Sequence, residues 1–367
     1  MKKFAILVVA LLISFGMALG QANKSDIDQY GTANKADNQQ YGYDNSAYVL
    51  QDWHANWSMN YQRGDKNVID TRQLGEFNES NVDQFGLLNR GMTFQEGVRN
   101  HSGIYQDGRE NWADITQLGH RNASQVSQVG VMNGAEVYQE GFANRSYITQ
   151  RERENYAGVT QLGEENYSDV YQRGYRNGAF ISQDGILNSS EVQEMGDHNR
   201  AYVNQVGYHN SSFVGQDGYA NRAYVDQAVE RNFSRVNQWG KHNEADVDQE
   251  GYFNKSYVDQ YDSGNFAKVD QGGDLNISRV YQNGFGYYGG YNWADVLQRG
   301  AENESDIHQF GNHNGAKVLQ DGFKNYSWIL QEGVYNMADV LQEGSLHVSE
   351  VDQIGDHHDA KVVQKNW

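Results

Sequence analysis

The chain has 367 residues, of which 40 are glycine and 25 tyrosine, and it contains neither proline nor cysteine. Its formal net charge of -19 argues against nucleic acid as a partner, and the lack of cysteine excludes disulfides and thiolate metal sites. Length alone would suggest two or three compact domains, but the composition is too polar for leucine-rich helical cores. The absence of proline suggests that few backbone donors can be spared, as in a continuous hydrogen-bonded ladder.

Residues 1–20 differ from the rest of the chain. Lys2 and Lys3 precede the apolar run "FAILVVALLISFGMAL", and the small-x-small sequence Ala18-Leu19-Gly20 follows. This pattern predicts a signal peptide over residues 1–20, cleaved near Gly20. The run is short for a retained membrane anchor. We therefore expect a secreted protein with no stable membrane insertion after cleavage.

From Asn23 onwards one pattern recurs every eleven residues, namely Asn-x-[Ala/Ser]-x-[Val/Ile]-x-Gln-x-Gly-x-x. It occurs 31 times, interrupted only by an insertion, "YYGGY", at 287–291, which predicts an extruded loop. The Val/Ile position departs from the pattern at Asn38, Asn60, Thr71 and Thr93. We therefore divide the mature chain into irregular repeats over 21–99 and a regular repeat solenoid over 100–367.

Fixed and variable residues alternate through the first seven positions of each unit, which is the period of a β-strand. The fixed residues then share one buried face, and the variable, mostly polar or aromatic residues share a wet face. Glycine at the ninth position supplies the positive φ needed to turn. Units without this glycine are expected to turn more loosely. A disordered low-complexity chain would not need such strict alternation.

The third position sets the length of the true repeat. From Ser102 to Ala360 it alternates between Ser and Ala without a break, so the repeat is 22 residues, one strand-turn-strand-turn rung. The predicted fold class is all-β, a β-solenoid of about fifteen 22-residue rungs that form two facing parallel sheets.

The outer face supports this register. In the later units that have Ala at the third position, the residue at the fourth position is alternately acidic and basic. In the earlier units of this kind, three aromatic residues follow one another at the fourth position. Stacking at 22 residues would place opposite charges over one another and form an aromatic ladder. These residues are Asp246, Lys268, Asp295, Lys317, Asp339 and Lys361, and Phe180, Tyr202 and Tyr224.

Inside the solenoid, identical amide side chains one rung apart can hydrogen-bond along the whole column. Because an unpaired buried amide is costly, such ladders are close to obligatory once the rungs stack. The predicted amide ladder includes Asn111, Gln117, Asn122, Gln128, Asn133, Gln139, Asn144, Gln150, Asn155, Gln161, Asn166, Gln172, Asn177 and Gln183. The predicted turn glycines include Gly119, Gly130, Gly141, Gly163, Gly174 and Gly185.

The motif resembles the curlin repeat of curli fibre subunits, Ser-x5-Gln-x-Gly-x2-Asn-x-Ala-x3-Gln. Residues 166–183, "NYSDVYQRGYRNGAFISQ", have Asn166 where the family has Ser. They match the motif at Gln172, Gly174, Asn177, Ala179 and Gln183. The resemblance implies secretion through an outer-membrane curli channel and assembly into extracellular amyloid fibres of the biofilm matrix, where curli mediate adhesion. It also implies curli-type secretion and nucleation proteins as partners.

We therefore predict a secreted structural subunit that self-associates into extracellular, pilus-like fibres, in either a major or a nucleating role. The irregular first units, up to about Thr93, are the candidate secretion segment. The alternative is a monomeric β-solenoid surface adhesin or carbohydrate-binding rod, with Tyr147, Tyr202, Tyr224 or Trp328 meeting sugars. We predict no enzymatic activity, no catalytic residues and no cofactor, since no carboxylate has a fixed His or nucleophile partner. The scattered histidines predict no metal site.

Overall fold

The computed structural model describes residues 22–284 and 289–366. The predicted signal peptide over 1–20 therefore lies outside the described residues. Of the inserted loop at 287–291, only residues 289–291 are described.

The described residues form 31 strands and no helix. The odd-numbered strands form one sheet, here called sheet A, and the even-numbered strands form the other, sheet B. The strands of sheet A are β1 (Lys24–Gln29), β3 (Ser46–His54), β5 (Val68–Glu76), β7 (Arg90–Val98), β9 (Trp112–His120), β11 (Gly134–Phe142), β13 (Tyr156–Glu164), β15 (Gly178–Ile186), β17 (Arg200–Tyr208), β19 (Arg222–Glu230), β21 (Glu244–Tyr252), β23 (Phe266–Asp274), β25 (Trp293–Ala301), β27 (Gly315–Phe323), β29 (Met337–Ser345) and β31 (Asp359–Lys365). The strands of sheet B are β2 (Lys35–Tyr41), β4 (Trp57–Asp65), β6 (Glu79–Leu87), β8 (His101–Arg109), β10 (Ala123–Val131), β12 (Arg145–Arg153), β14 (Tyr167–Tyr175), β16 (Ser189–Asp197), β18 (Ser211–Tyr219), β20 (Phe233–Lys241), β22 (Lys255–Ser263), β24 (Ile277–Asn283), β26 (Glu304–Asn312), β28 (Tyr326–Val334) and β30 (Val348–Ile354).

Every strand pairs in parallel with the strand two places away, at an offset of 22 residues, except that the insertion raises the offset to 27 residues between β23 and β25 and between β24 and β26. In β10 and β12, for example, Ser124 lies beside Ser146 and Gln128 beside Gln150. Sheet A has 16 strands and sheet B has 15, so the chain winds through about fifteen turns. The predicted fold class, an all-β solenoid with two facing parallel sheets, is confirmed.

The core is one narrow layer between the two sheets. It contains the Val and Ile of the fifth position from both sheets, together with the Ala of sheet A and the Ser of sheet B at the third position. The Asn and Gln of each unit flank this layer and are also buried. The same two sheets run through residues 22–99 and 100–366.

The ninth-position glycine is favoured by its positive φ and by the close approach of the next rung. Gly141 has a φ of 117°, and a Cβ at this position would lie 2.1 Å from the carbonyl oxygen of Gly163. An added side chain would therefore collide with backbone, which cannot move aside without breaking the ladder.

In the four turns that lack this glycine at Trp53, Glu152, Val229 and Asp262, the carbonyl keeps the hydrogen bond from an asparagine side chain. That these turns are looser stays a prediction. Trp53, Glu152, Val229 and Asp262 keep a positive φ of 72° to 84°. The carbonyl of Glu152 still accepts a hydrogen bond from Asn133 Nδ2, at 3.1 Å. Hydrogen bonds to the neighbouring rungs hold these residues in a backbone region that disfavours side chains.

The outer face has the register that the sequence predicts. Asp246 lies beside Lys268, and Asp295 beside Lys317. Tyr202 stacks on the rings of both Phe180 and Tyr224, with centroid distances of 4.9 and 5.0 Å and interplanar angles of 6° and 4°. The predicted alternating charges and aromatic ladder are thus confirmed.

Candidate functional site: amide ladders and solenoid ends

The seventh-position glutamines of sheet A form one uninterrupted ladder. Gln139 Nε2 donates to Gln161 Oε1 at 2.7 Å, and Gln161 Nε2 donates to Gln183 Oε1 at 2.8 Å. The other hydrogen of each Nε2 goes to a backbone carbonyl, as in the bond from Gln161 to Arg145 O at 2.9 Å. The same pattern continues from Gln29 to Gln364. The ladder is polar, since donors point toward the C-terminal end and acceptors toward the N-terminal end.

The ladder of sheet B is interrupted once, at Glu194. Gln172 Nε2 donates to Glu194 Oε2 at 2.7 Å, but Glu194 Oε1 and Gln216 Oε1 are both buried without a hydrogen-bond partner in the described residues. Burial raises the pKa of Glu194 to about 8, although the hydrogen bond from Gln172 opposes this shift. When Glu194 is protonated, its carboxyl can donate to an acceptor, whereas the carboxylate leaves two acceptors facing one another.

The asparagines form a different kind of ladder. The backbone N–H of Asn133 donates to Asn111 Oδ1 at 3.0 Å, so the side chain of one rung holds the backbone of the next. Asn144 Nδ2 donates to the carbonyl of Gly163 at 2.9 Å, and to that of Glu140 at 3.1 Å. The asparagine side chain therefore stabilises the turn by hydrogen bonds to backbone, in addition to any bond that it makes to another asparagine side chain.

The fourteen amides predicted for the ladder lie in β9 to β15 or directly before one of these strands, and all are buried. Each glutamine among them bonds a side chain one rung away, and each asparagine bonds backbone. They are Asn111, Gln117, Asn122, Gln128, Asn133, Gln139, Asn144, Gln150, Asn155, Gln161, Asn166, Gln172, Asn177 and Gln183. The predicted turn glycines all have positive φ, and they are Gly119, Gly130, Gly141, Gly163, Gly174 and Gly185.

A second positive-φ position in each turn was missed by sequence reasoning. Among the described residues, the residue directly before the Asn or His that begins the next unit has, where it is not glycine, a φ between 44° and 62°. Lys66 and Phe77 are typical, and their N–H groups donate to the carbonyls of Tyr43 and His54 in the preceding rung. Because residue types vary freely here, the sequence carries no signal for this conformation.

The buried serines of sheet B have no hydrogen-bond partner in the described residues. Their hydroxyls are buried in the layer between the two sheets, at the repeat position where the regular strands of sheet A have Ala. The residues are Ser58, Ser80, Ser102, Ser124, Ser146, Ser168, Ser190, Ser212, Ser234, Ser256, Ser278, Ser305, Ser327 and Ser349.

Both ends of the solenoid expose unpaired strands. Among the described residues, β1 and β2 have no strand on their N-terminal side, and β30 and β31 have none on their C-terminal side. Even-numbered positions of each unit donate toward the next rung, as Lys24 N–H does to Asn45 O and Tyr30 N–H does to Gln51 O. By this pattern the N–H groups of Glu350 and Lys361 point out of the C-terminal end.

The described residues contain no group of three or more His, Asp or Glu side chains placed to hold a metal ion. In the same part of the chain, no helix is long and apolar enough to cross a bilayer.

Comparison with known protein families finds a match to the curlin repeat. The Curlin associated repeat matches residues 89–119, 102–130, 132–163, 163–193, 240–273, 311–344 and 335–365, which together cover more than half of the chain. No curated protein matches the sequence. The curlin repeat defines a structural family, not an enzyme family. The chain belongs to the curlin-repeat family, and its β-solenoid is that of a curli-like structural subunit.

Proposed function

We propose that this protein is secreted and self-assembles, end to end, into extracellular curli-like amyloid fibres that serve the biofilm matrix and adhesion. The observation that carries the proposal is the pair of unpaired, in-register parallel edges at the two ends of the solenoid. Such edges are templates for another chain, and soluble proteins normally block them.

The two ends are chemically complementary. At the C-terminal end, Gln353 and Gln364 each use one Nε2 hydrogen on a backbone carbonyl, which leaves the other for a further rung. At the N-terminal end, Gln29 and Gln40 donate to Gln51 and Gln62, while their own Oε1 atoms face outward. A second copy added head to tail would continue both ladders, whereas head-to-head contact would oppose identical groups.

Proline at the C-terminal edge tests the proposal. In Glu350→Pro/Lys361→Pro, each proline removes an N–H that points out of the end and breaks no hydrogen bond within the molecule. We expect the wild-type mature chain to form fibres with a meridional reflection near 4.8 Å, and the proline variant to remain as short rods, by electron microscopy and light scattering.

The matched control is Glu350→Ala/Lys361→Ala, which keeps both donors and should polymerise as the wild type does. Fibre growth by the proline variant at the wild-type rate would show that these edges are not the growing surface. A wild-type chain that stays monomeric at high concentration would contradict the polymer proposal altogether.

A groove on the outer face of sheet A favours a second candidate function, a ligand-binding or adhesive rod. The groove has a volume of about 830 Å³ and lies beside Phe180, Tyr202 and Tyr224, over Ser182 and Asn204. Stacking covers both faces of the Tyr202 ring, which leaves ring edges for a ligand. Binding of soluble oligosaccharides to monomeric protein, lost in Tyr202→Ala, would support this function.

A further inference from the structure

The first two strands of the solenoid are out of phase with the rest. From β4 to β30 every strand of sheet B has Ser at the third position, and from β9 to β31 every strand of sheet A has Ala. In β1 and β2 this order is reversed, because Ser25 lies in sheet A beside Ala47 and Ala36 lies in sheet B beside Ser58.

The odd number of described strands has a geometric consequence. The last strand, β31, lies in sheet A, so the next position along the winding lies in sheet B, next to β30. A second copy stacked without rotation would place its β1 on β31, and the position next to β30 would stay empty. That gap would leave the edges of β30 and of the second copy's β2 unpaired, which is costly for buried backbone.

We propose that a second copy of this chain binds the C-terminal end after a half-turn about the solenoid axis, with its β1 on β30 and its β2 on β31. Sheet A of one molecule then continues as sheet B of the next. The inference rests on the proposed assembly function and specifies the contact that assembly uses.

The half-turn brings the third-position residues into phase across the junction. Ser25 of the second copy would lie on Ser349, and Ala36 on Ala360, so the alternation of Ser and Ala continues from one molecule into the next. Stacking without the half-turn would place Ser25 on Ala360. The reversed order of Ser and Ala in β1 and β2 does not continue the third-position columns of its own molecule. It does continue those of the neighbouring molecule.

The buried amides fit the same junction. Gln353 would donate to Gln29 of the second copy, and Gln364 to Gln40, which satisfies the outward groups at both ends. His347 and His358 stand where all other units have Asn, and their Nε2 atoms lie 3.0 and 3.1 Å from the carbonyls of Glu343 and Ile354. With the proton on Nε2, each ring keeps Nδ1 as an acceptor for the backbone N–H of an incoming Asn.

At this junction the outer-face charges would be opposite on one sheet and alike on the other. Lys361 would lie on Asp37 of the second copy, which continues the alternating column. On the other face Glu350 would lie on Asp26, a pair of like charges. These side chains are exposed, so the repulsion is weak and is screened by salt.

Disulfide cross-linking distinguishes the two arrangements, because the chain has no native cysteine. Neighbouring residues in register are one strand spacing apart, within the Cα separation that a disulfide spans. The half-turn brings position 350 against position 26 of the next molecule, and stacking without it brings 361 against 26. All three positions are outside the core, and the two cysteines of one molecule lie at opposite ends of the rod.

We expect mild oxidation of preformed fibres to link most molecules into covalent multimers in Glu350→Cys/Asp26→Cys, and to leave Lys361→Cys/Asp26→Cys monomeric on denaturing gels. The opposite result, or no linkage in either variant, overturns the half-turn while fibres remain. An absence of fibres from the wild-type chain overturns the proposed function and this inference together. If either double variant fails to assemble when reduced, the same cysteine pairs are tested by mixing two single-cysteine chains.

Discussion

Sheet A and sheet B share one backbone geometry but differ in how completely their interiors are hydrogen-bonded. In sheet A, the glutamine ladder is continuous from Gln29 to Gln364, and the third position of every regular strand is Ala. In sheet B, the ladder is interrupted at Glu194, and the third position of every strand from β4 to β30 is a Ser without a hydrogen-bond partner in the described residues. The parallel backbone ladder nevertheless continues through β14, β16 and β18. Backbone pairing thus sets the fold, and the side-chain ladder adds stability that can be lost locally.

The difference also shows how a solenoid tolerates a defect. Each rung contacts mainly its two neighbours, so an unfavourable group acts over a few rungs and not over the whole rod. Burial raises the pKa of Glu194 to about 8, which favours its neutral form near neutral pH and so lowers the cost of burying it. Introducing a buried carboxyl into sheet A, or removing the one in sheet B, therefore tests how much the glutamine ladder contributes to stability.

The largest effect is expected from giving sheet A the defect of sheet B. Gln161→Glu would place a carboxyl in the continuous ladder, between the side chains of Gln139 and Gln183. At pH 9 we expect a loss of about 3–5 kcal/mol in the free energy of unfolding, because the carboxylate would be buried without a cation. Urea unfolding of the monomer, followed by tryptophan fluorescence, measures it.

The matched control is Gln125→Glu, the same change on the outer face of β10. It should alter the free energy of unfolding by less than about 0.5 kcal/mol. Similar losses in the two variants would mean that the position of Gln161 in the ladder is not what matters.

Repair of sheet B should have the next largest effect. Glu194→Gln would supply the donor that Gln216 Oε1 lacks, and we expect a gain of about 2–3 kcal/mol at pH 9. The folded pKa of about 8 lies above the ordinary glutamate pKa of 4.5, so the folded state holds a proton that the unfolded state releases between these values. Wild-type stability should therefore fall as pH rises from about 4.5 to 8 and change little above that.

Unfolding curves at pH 5, 7 and 9 check this dependence. The glutamine variant should lack the part of the pH dependence that Glu194 contributes, whereas Glu191→Gln, on the outer face of the same strand, should keep it. An unchanged profile in Glu194→Gln would show that Glu194 is not the group that titrates.

The turns should not distinguish the two sheets. A Cβ at Gly141, after the ladder of sheet A, or at Gly174, after that of sheet B, would lie 2.1 or 1.9 Å from a carbonyl oxygen of the next rung. We expect Gly141→Ala and Gly174→Ala to lose about 1–3 kcal/mol each, by equal amounts. Gly272→Ala is the control, since a Cβ there meets no atom within 4 Å. Unequal losses at 141 and 174 would show that the turns do contribute to the difference.

The strand period and the buried face could be predicted from the sequence because the eleven-residue unit is repeated 31 times, and the 22-residue rung because Ser and Ala alternate from Ser102 to Ala360. The alternating charges from Asp246 to Lys361 even determine the register. Features that depend on one rung touching the next were harder to predict. The bonds from Asn144 to the carbonyls of Gly163 and Glu140 need the turn geometry, which the residue pattern does not contain.

Exceptions to the repeat were the least predictable part. Glu194 is visible in the sequence as a departure, but its neutral state follows from complete burial in the folded ladder. Asn60 replaces Val or Ile in the core, and its amide donates to Asn38 Oδ1 at 2.8 Å, a second short polar column that the pattern does not indicate. Such compensation depends on which residues are stacked, and one unit alone does not show it.

The smallest effect concerns the third position, where the sheets differ in every regular rung. The hydroxyl of Ser168 has no partner, so Ser168→Ala should be neutral or stabilising by up to about 1 kcal/mol. Ala157→Ser, in the adjoining strand of sheet A, would bury a new hydroxyl and should lose about 1 kcal/mol. Urea unfolding of both variants and of the double exchange would measure these changes. A clear loss in Ser168→Ala would mean that the serine column is hydrogen-bonded in solution, and that sheet B differs from sheet A only at Glu194.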